Sequence, residues 1–245
     1  MDVAQGFGAP VTFAPSVKSV IAMTDSTPPP DIAKRYDEET ARHYFAVHRS
    51  SLSRRISSWR EVSLARRALA LAGDPDSILD MPCGAGRFWP MLARTSARRL
   101  LAGDNSPAML AAAVAGAAPE TRARFEASPM DAFALPLADA AVDHVLCMRL
   151  LHHFAAPADR LRILREIHRV ARRGATISVW VDGNLQARRR RHQEARRAPA
   201  CPPNRIIVDR AVIEAELAEA GFRIRKRLDT LRWIGKRRLY VLDKV

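Results

Sequence analysis

Apolar and polar positions alternate in blocks between residues 77 and 181. Short apolar runs, each of the length of a strand, occupy 77–81, 98–104, 123–127, 142–148 and 175–181. Segments with a helical spacing of apolar residues lie between them, at 87–96, 106–117 and 157–172. Strands that alternate with helices favour a parallel sheet with helices on both faces. The pattern therefore predicts an α/β protein with a doubly wound sheet.

The N-terminal part of the chain divides into two segments. Residues 1–30 end in three prolines and have the composition of an unpacked chain, which predicts a disordered leader. Residues 31–72 have helical spacing, with Asp31 as a candidate cap, and predict N-terminal helices. Met23 opens a more typical start, so it is an alternative to Met1 as the start of translation. We expect one domain over 31–245, with its core at 77–182.

The C-terminal part begins with a basic insert at 183–204, which holds six arginines and a single acid, Glu194. A helix is predicted from Asp209 to about residue 220, where Gly221 ends it. Two strand-like runs follow at 222–228 and 238–243, and they predict a final antiparallel hairpin. With these two strands the sheet is expected to have seven strands and to be mostly parallel.

Composition and charge restrict the class of protein. The chain has 245 residues, of which 48 % are hydrophobic, enough for one sizeable core. Its formal net charge is +14, a sign that attracts phosphates, carboxylates and anionic lipids. No stretch approaches the roughly 18 apolar residues of a membrane span. Three scattered cysteines, Cys83, Cys147 and Cys201, predict neither a disulfide framework nor a metal site, and they fit a reduced, cytoplasmic setting.

A glycine turn follows the first apolar run and carries the clearest chemistry. The run ends in Asp80, the turn contains Gly84 and Gly86, and the second run ends in Asp104. Glycines let a backbone approach a ligand closely, and an acid at the second strand tip can accept two ribose hydroxyls. This turn serves both dinucleotides and S-adenosylmethionine. Trp89 stands where the dinucleotide pattern has its third glycine, so the residues favour S-adenosylmethionine.

Four blocks in order resemble the class I S-adenosylmethionine-dependent methyltransferases, the broad group that includes quinone-biosynthesis and other small-molecule enzymes. The blocks are the Asp80–Gly86 turn, Gly103–Ser106 with Met109 and Leu110, Met130–Ala132 with Leu135–Leu137 and Asp143, and Leu151–His153. The resemblance covers about 31–245 and is strongest over 76–181. It implies a Rossmann-like methyltransferase fold with S-adenosylmethionine as cofactor. Pro82 departs from the family, which most often has a glycine there.

The resemblance implies a role for each residue of the turn and of the second strand tip. Gly84 and Gly86 would approach the methionine part of the cofactor. Asp80 would orient the turn near the ammonium group, directly or through water. Asp104 would accept both ribose hydroxyls, and Asn105 would lie beside the adenine.

Further cofactor contacts come from other parts of the chain. Asp131 would accept from the adenine amino group, unless it is an ordinary loop acid, and Met130 would lie against the ring. Met148, after the fourth strand, would line the sulfonium or the acceptor, together with Arg149. Tyr36 resembles a tyrosine that closes over the cofactor in this family, and packing between helices is the alternative.

His152 and His153 are the candidate catalytic residues. They follow the fourth strand, whose tip faces the transferable methyl group in this fold, and a histidine can remove a proton from an acceptor near neutral pH. Of the two, His153 is slightly favoured. The alternative is that one caps the next helix and the other packs beneath it. Methyl transfer also proceeds without a base when the nucleophile is aligned with the methyl group.

The acceptor is predicted by exclusion and by charge. Residues 147–150 read Cys-Met-Arg-Leu, which lacks the proline-containing turn of amino-directed DNA methyltransferases. The basic insert follows the fifth strand, so it would form a cationic rim over a small or lipid-linked, anionic acceptor or face an anionic membrane. Its alternative is a solvated helix or loop. Nucleic acid is less favoured, because the insert has no aromatic residue to stack on bases. An RNA methyltransferase and a cofactor-binding protein without catalysis remain the alternatives.

Overall fold

A computed structural model describes residues 52–195 and 205–245 of the chain. The predicted leader, Tyr36 and the end of the basic insert lie outside the described residues. The strands are β1 (Ser77–Asp80), β2 (Arg99–Asp104), β3 (Phe125–Pro129), β4 (Val142–Cys147), β5 (Ala171–Trp180), β6 (Phe222–Asp229) and β7 (Arg237–Lys244). The helices are α1 (Leu52–Leu71), α2 (Trp89–Leu92), α3 (Pro107–Gly116), α4 (Pro119–Arg122), α5 (Pro157–Val170), α6 (Leu185–Ala195) and α7 (Arg210–Glu219), with one 3-10 turn at Leu151–His153.

The strands form one sheet in the order β3-β2-β1-β4-β5-β7-β6. Strands β1 to β5 pair in parallel, and β7 pairs antiparallel with both β5 and β6. The predicted seven-stranded, mostly parallel sheet with a C-terminal antiparallel hairpin is confirmed. The order reverses between β1 and β4, and a crevice opens beyond the carboxyl ends of strands at such a point.

Alternation along the buried strands supplies a core on each face of the sheet. On β1, Leu79 belongs to the cluster that packs beneath α5 and α7 with Ile163 and Leu217. Its neighbour Ile78 belongs to the opposite cluster, with Leu69 of α1. All of these side chains are fully or nearly fully buried. Both faces of the sheet are therefore buried, as the predicted doubly wound architecture requires.

Several predicted boundaries are wrong, and the strand predicted at 123–127 is β3, at Phe125–Pro129. The helix predicted at 87–96 has only the four residues of α2. Beyond it the segment forms turns, and the Arg124 guanidinium donates to two carbonyls there, those of Ser96 at 2.7 Å and Arg98 at 2.8 Å. The helix predicted at 157–172 ends at Val170, and β5 begins at once with Ala171 instead of at residue 175.

A buried ion pair joins α5 to α7 beneath the 3-10 turn. The guanidinium of Arg160 donates to both carboxylate oxygens of Glu216, at 2.9 and 2.5 Å. It also donates to the carbonyls of Phe154 and Ala155 at 2.9 and 2.8 Å. This one side chain therefore ties both helices to the segment that follows the 3-10 turn.

We predict that Glu216→Ala lowers the free energy of unfolding by about 3–5 kcal/mol, because it leaves a buried guanidinium without its counter-charge. The control is Glu219→Ala, which removes an ion pair with Arg165 whose side chains are 58 % and 60 % exposed. That pair is worth less than about 1 kcal/mol. Urea unfolding of both variants checks the difference, and equal losses would contradict the assignment.

Candidate active site

A pocket opens at the carboxyl edge of the sheet, where β1, β2 and β4 end. Six of the predicted site residues line it: Gly84, Asp104, Asn105, Asp131, Met148 and His153. The others have different places. Asp80, Gly86, Met130 and His152 lie behind the lining, and Tyr36 lies outside the described residues.

The turn after β1 requires its two glycines. Gly84 has a φ of +54° and Gly86 of +71°, both in the left-handed region that other residues disfavour. A Cβ on Gly86 would lie 3.2 Å from atoms of both Ala113 and Trp89, which is too close. Trp89 is fully buried and stacks on Phe125 with 4.4 Å between ring centroids. Gly86 therefore seats the turn against Trp89, and Gly84 faces the pocket.

Asp104 joins the tip of β2 to this turn. One carboxylate oxygen accepts from the Gly84 N–H at 2.8 Å, and the other accepts from the Ser106 N–H at 2.9 Å. Burial raises the pKa of Asp104, and these two hydrogen bonds oppose the rise. An ionised carboxylate has about four acceptor positions, so two remain for a ligand that enters the pocket.

Asp80 lies fully buried beneath the turn. Within the described residues, neither of its carboxyl oxygens makes a hydrogen bond of acceptable geometry, although the indole of Trp89 lies near enough to oppose the rise in its pKa. Burial, with a further contribution from the charge of Asp104, raises the pKa of Asp80 well above its ordinary value. Two buried carboxyls side by side favour a positively charged ligand, which would relieve both.

The loop after β3 separates two neighbouring predicted residues. Asp131 is exposed, lines the pocket and accepts the N–H of Phe133 at 2.9 Å. Met130 is 2 % exposed and packs so tightly against Gly103 that a Cβ there would lie 2.5 Å from its sulfur. Met130 therefore packs in the core beside the tip of β2, and its contact with the adenine ring stays a prediction.

The two histidines also differ in position. His153 lines the pocket, whereas His152 is 1 % exposed and stacks on Trp180 with 4.6 Å between ring centroids. Burial lowers the pKa of His152 well below its ordinary value, and His153 and Arg205 add to the effect. His152 is therefore neutral, packed beneath His153 and away from the pocket. Its side chain does not reach the lining, so its predicted role as a catalytic base has no support from this geometry and stays a prediction.

Arg149 lies at the tip of β4 on the pocket wall. Its φ of +65° is unfavourable for a side chain, and two contacts hold it there. The backbone N–H donates to Ser178 Oγ at 2.8 Å, and the guanidinium donates to both oxygens of Glu61 at 3.0 and 2.5 Å.

Glu61, on α1, is the centre of an arginine cluster. Its carboxylate is fully buried and also meets Arg87 at 2.9 Å and Arg237 at 3.3 Å. Burial would raise the pKa of Glu61, but Arg149, Arg237 and Arg87 together lower it. Burial also lowers the pKa of Arg237 to about 10 against the opposing attraction of Glu61. Glu61 thus stays ionised and fixes Arg149 and Arg87 on the pocket wall.

Residues 79–179 match the family model described as a methyltransferase domain. The chain contains a class I S-adenosylmethionine-dependent methyltransferase domain. The predicted enzyme class and cofactor are confirmed. Among proteins with curated functions, none matches this sequence at a significant level.

Solved structures of low sequence identity have the same fold as this methyltransferase. Magnesium protoporphyrin IX methyltransferase from Synechocystis PCC 6803 with bound SAH is 15 % identical, with a TM-score of 0.71 over 87 % of this chain and 98 % of that one. The same protein with bound SAM gives 16 % and 0.65 over 91 % and 100 %. A SAM-dependent methyltransferase from Methanosarcina mazei gives 19 % and 0.56 over 69 % and 92 %.

Sequence reasoning missed several residues of this methyltransferase site. Arg87 and Arg205 line the pocket, and Glu61 and Arg237 lie directly behind it. Arg87 directly follows Gly86, so its place beside the glycine turn could have indicated a pocket residue. Glu61 is 88 residues from Arg149 in the chain, so no local pattern relates them.

We predict that Glu61→Gln lowers the free energy of unfolding by at least about 2 kcal/mol at neutral pH, because buried guanidinium groups lose their counter-charge. The pKa of Glu61 is lowered in the folded state, so its stabilisation is present above its ordinary value of 4.5 and is lost as pH falls through the folded value. The two proteins should therefore converge in acid. Urea unfolding against pH measures this, with Glu126→Gln as control at the exposed pair with Arg99. A difference that persists unchanged in acid would rule the mechanism out.

Proposed function

We propose that this methyltransferase transfers the methyl group of S-adenosylmethionine to a small or lipid-linked acceptor that carries a negative charge. The observation that supports it is the separation of charge in the pocket. The acidic side chains of the lining are Asp104, at the end of β2, and Asp131, after β3. The basic ones, Arg87, Arg149 and Arg205, lie at the turn after β1 and toward β4 and β5.

The acidic end suits the nucleoside part of the cofactor. Asp104 keeps acceptor positions for the two ribose hydroxyls after it has bound the turn, and Asn105 lies next to it in the lining. Asp131 would accept from the adenine amino group. Gly84 would let the backbone approach the methionine part, and Asp80 would favour its ammonium group from beneath.

The basic end suits the acceptor. Guanidinium groups bind carboxylate and phosphate oxygens through paired hydrogen bonds. The lining also contains apolar residues, among them Phe88, Met148 and Leu150. A pocket lined by both apolar residues and arginines would fit an acceptor with an apolar body and an anionic group.

Alignment is the main contribution that we assign to the protein. When bound, S-adenosylmethionine supplies a methyl group on a positively charged sulfur that needs no further activation. The arginines would hold the acceptor at a fixed orientation, which by itself supplies a large rate increase. His153 lines the pocket and would take the proton of a hydroxyl or amino acceptor.

The reduced, cytoplasmic setting remains our proposal, and the described cysteines, Cys83 and Cys147, are free thiols.

For the cofactor, we predict that Asp104→Ala weakens S-adenosylhomocysteine binding by roughly 1.5–3 kcal/mol, because charge-assisted hydrogen bonds are lost. Asp76→Ala is the matched control, since this exposed acid precedes β1 at the opposite edge of the sheet. Calorimetry should detect binding of both S-adenosylmethionine and S-adenosylhomocysteine and no comparable binding of NAD. Tighter binding of NAD would contradict the assignment of the pocket.

For the acceptor, we predict that methyl-labelled S-adenosylmethionine, incubated with cell metabolite and lipid extracts, gives a labelled product that anion-exchange resin retains. Once the acceptor is identified from that product, Arg205→Met should reduce kcat/KM for the acceptor about tenfold, as expected for a lost charge-assisted contact. Cofactor affinity should be unchanged. Arg122→Met, at an exposed site on α4, is the control.

Total RNA is incubated in parallel. Label found only in RNA would favour the RNA methyltransferase, and cofactor binding with no labelled product in any fraction would favour a protein without catalysis. Either result would overturn the proposal.

A further inference from the structure

The loop between β6 and β7 and the start of α6 present apolar side chains to solvent. Leu185, Leu231, Trp233 and Ile234 are all exposed, and Trp233 is 73 % exposed. They form one surface, because the Leu185 N–H donates to the Trp233 carbonyl and the next N–H donates to the Ile234 carbonyl, both at 3.0 Å. We call these four residues the β6–β7 surface. Large exposed apolar groups that cluster in this way mark an interaction site.

Basic residues surround the β6–β7 surface. Residues 183–193 and 230–242 contain no aspartate or glutamate. Arg188 and Arg189 are exposed one helical turn beyond Leu185. The Arg232 guanidinium lies 5.4 Å from the Trp233 ring centroid. Arg188, Arg189 and Arg232 form no ion pair among the described residues.

The β6–β7 surface lies at the same edge of the sheet as the pocket. Trp180 ends β5 and pairs with Arg237 at the start of β7, directly after the loop. Lys236 lies 3.8 Å from the centroid of the Trp180 ring, and Arg205 lies over the same ring at 5.5 Å. Arg205 also lines the pocket, so the surface and the pocket mouth share a border.

We propose that the β6–β7 surface docks on an anionic lipid bilayer. Tryptophan and aliphatic side chains enter the boundary between head groups and acyl chains, and arginines beside them contact anionic head groups. No helix in the described part of the chain is long and apolar enough to cross a membrane. Docking at the interface requires no such helix.

The composition of the surface favours lipid over other occupants. Single-stranded RNA binds by stacking successive bases on aromatic rings, and three of the four side chains here are aliphatic. A second copy of the chain would bring two strongly basic surfaces together, which is unfavourable. Docking would present the pocket mouth to a lipid-linked acceptor. The docking itself does not depend on the proposed methyl transfer and is measured without any acceptor.

The test is co-sedimentation of the full chain with vesicles of pure phosphatidylcholine and of phosphatidylcholine mixed with an equal amount of phosphatidylglycerol. We expect binding to the mixed vesicles only, and weaker binding as salt is added. Trp233→Ser with Ile234→Ser, and separately Arg188→Glu with Arg189→Glu, should each lower the partition coefficient about tenfold or more. Controls at the opposite edge are Val245→Ser, an exposed apolar residue, and Arg122→Glu.

Calorimetry with S-adenosylhomocysteine shows that each variant is folded, since none of the changed residues lines the pocket. No binding to the mixed vesicles overturns the proposal. The proposal is also overturned if the control variants lose as much vesicle binding as the surface variants do. It is overturned likewise if only the arginine substitutions weaken binding and Trp233→Ser with Ile234→Ser does not. Sedimentation velocity supplies the last arm: a dimer that Trp233→Ser dissociates would assign the surface to contact between copies. Vesicle binding without any labelled product would sustain docking while the proposed function fails.

Discussion

The carboxylate of Asp104 is the contact on which the site depends. It accepts one N–H from the turn after β1 and one from the start of α3, so two strand tips are joined through a single buried group. The turn must keep its left-handed glycines to bring that N–H within 2.8 Å. A parallel sheet leaves such tips side by side, and its strand order opens the crevice between β1 and β4. Fold and site are thus set by the same backbone geometry.

A second buried carboxylate organises the opposite end of the pocket. Glu61 comes from α1, outside the alternating core, and fixes arginines that arrive from the turn after β1, the tip of β4 and the start of β7. Desolvation alone would favour its neutral form, and the guanidinium groups reverse that preference. The pocket therefore has an acidic end at the tips of β2 and β3 and a basic end whose arginines are fixed by a carboxylate from a helix. That division is the physical basis of our proposal that a charged cofactor and an anionic acceptor share one pocket.

Local patterns in the sequence predicted what local chemistry determines. Strand and helix alternation indicated the sheet, and the Asp80–Gly86 turn with Asp104 indicated the cofactor end. Contacts between distant segments could not be read in this way. Arg124 binds the carbonyl of Arg98 across 26 residues, and Glu61 binds Arg149 across 88. Neighbours also diverged: Asp131 faces the pocket and Met130 the core, and His153 lines the wall while His152 packs on Trp180. The sequence alone does not tell which of two adjacent residues faces the pocket, because the backbone that orients their side chains must be known first.

The most direct measurement is a crystal structure of the protein with S-adenosylhomocysteine bound. The account predicts that the ribose hydroxyls contact the carboxylate of Asp104 and that the amino group of the homocysteine part lies at the turn above Asp80. The sulfur should point toward Met148 and the side of the pocket that carries Arg149. A ligand whose ribose lies away from Asp104, or whose sulfur points away from the arginines, would contradict the account.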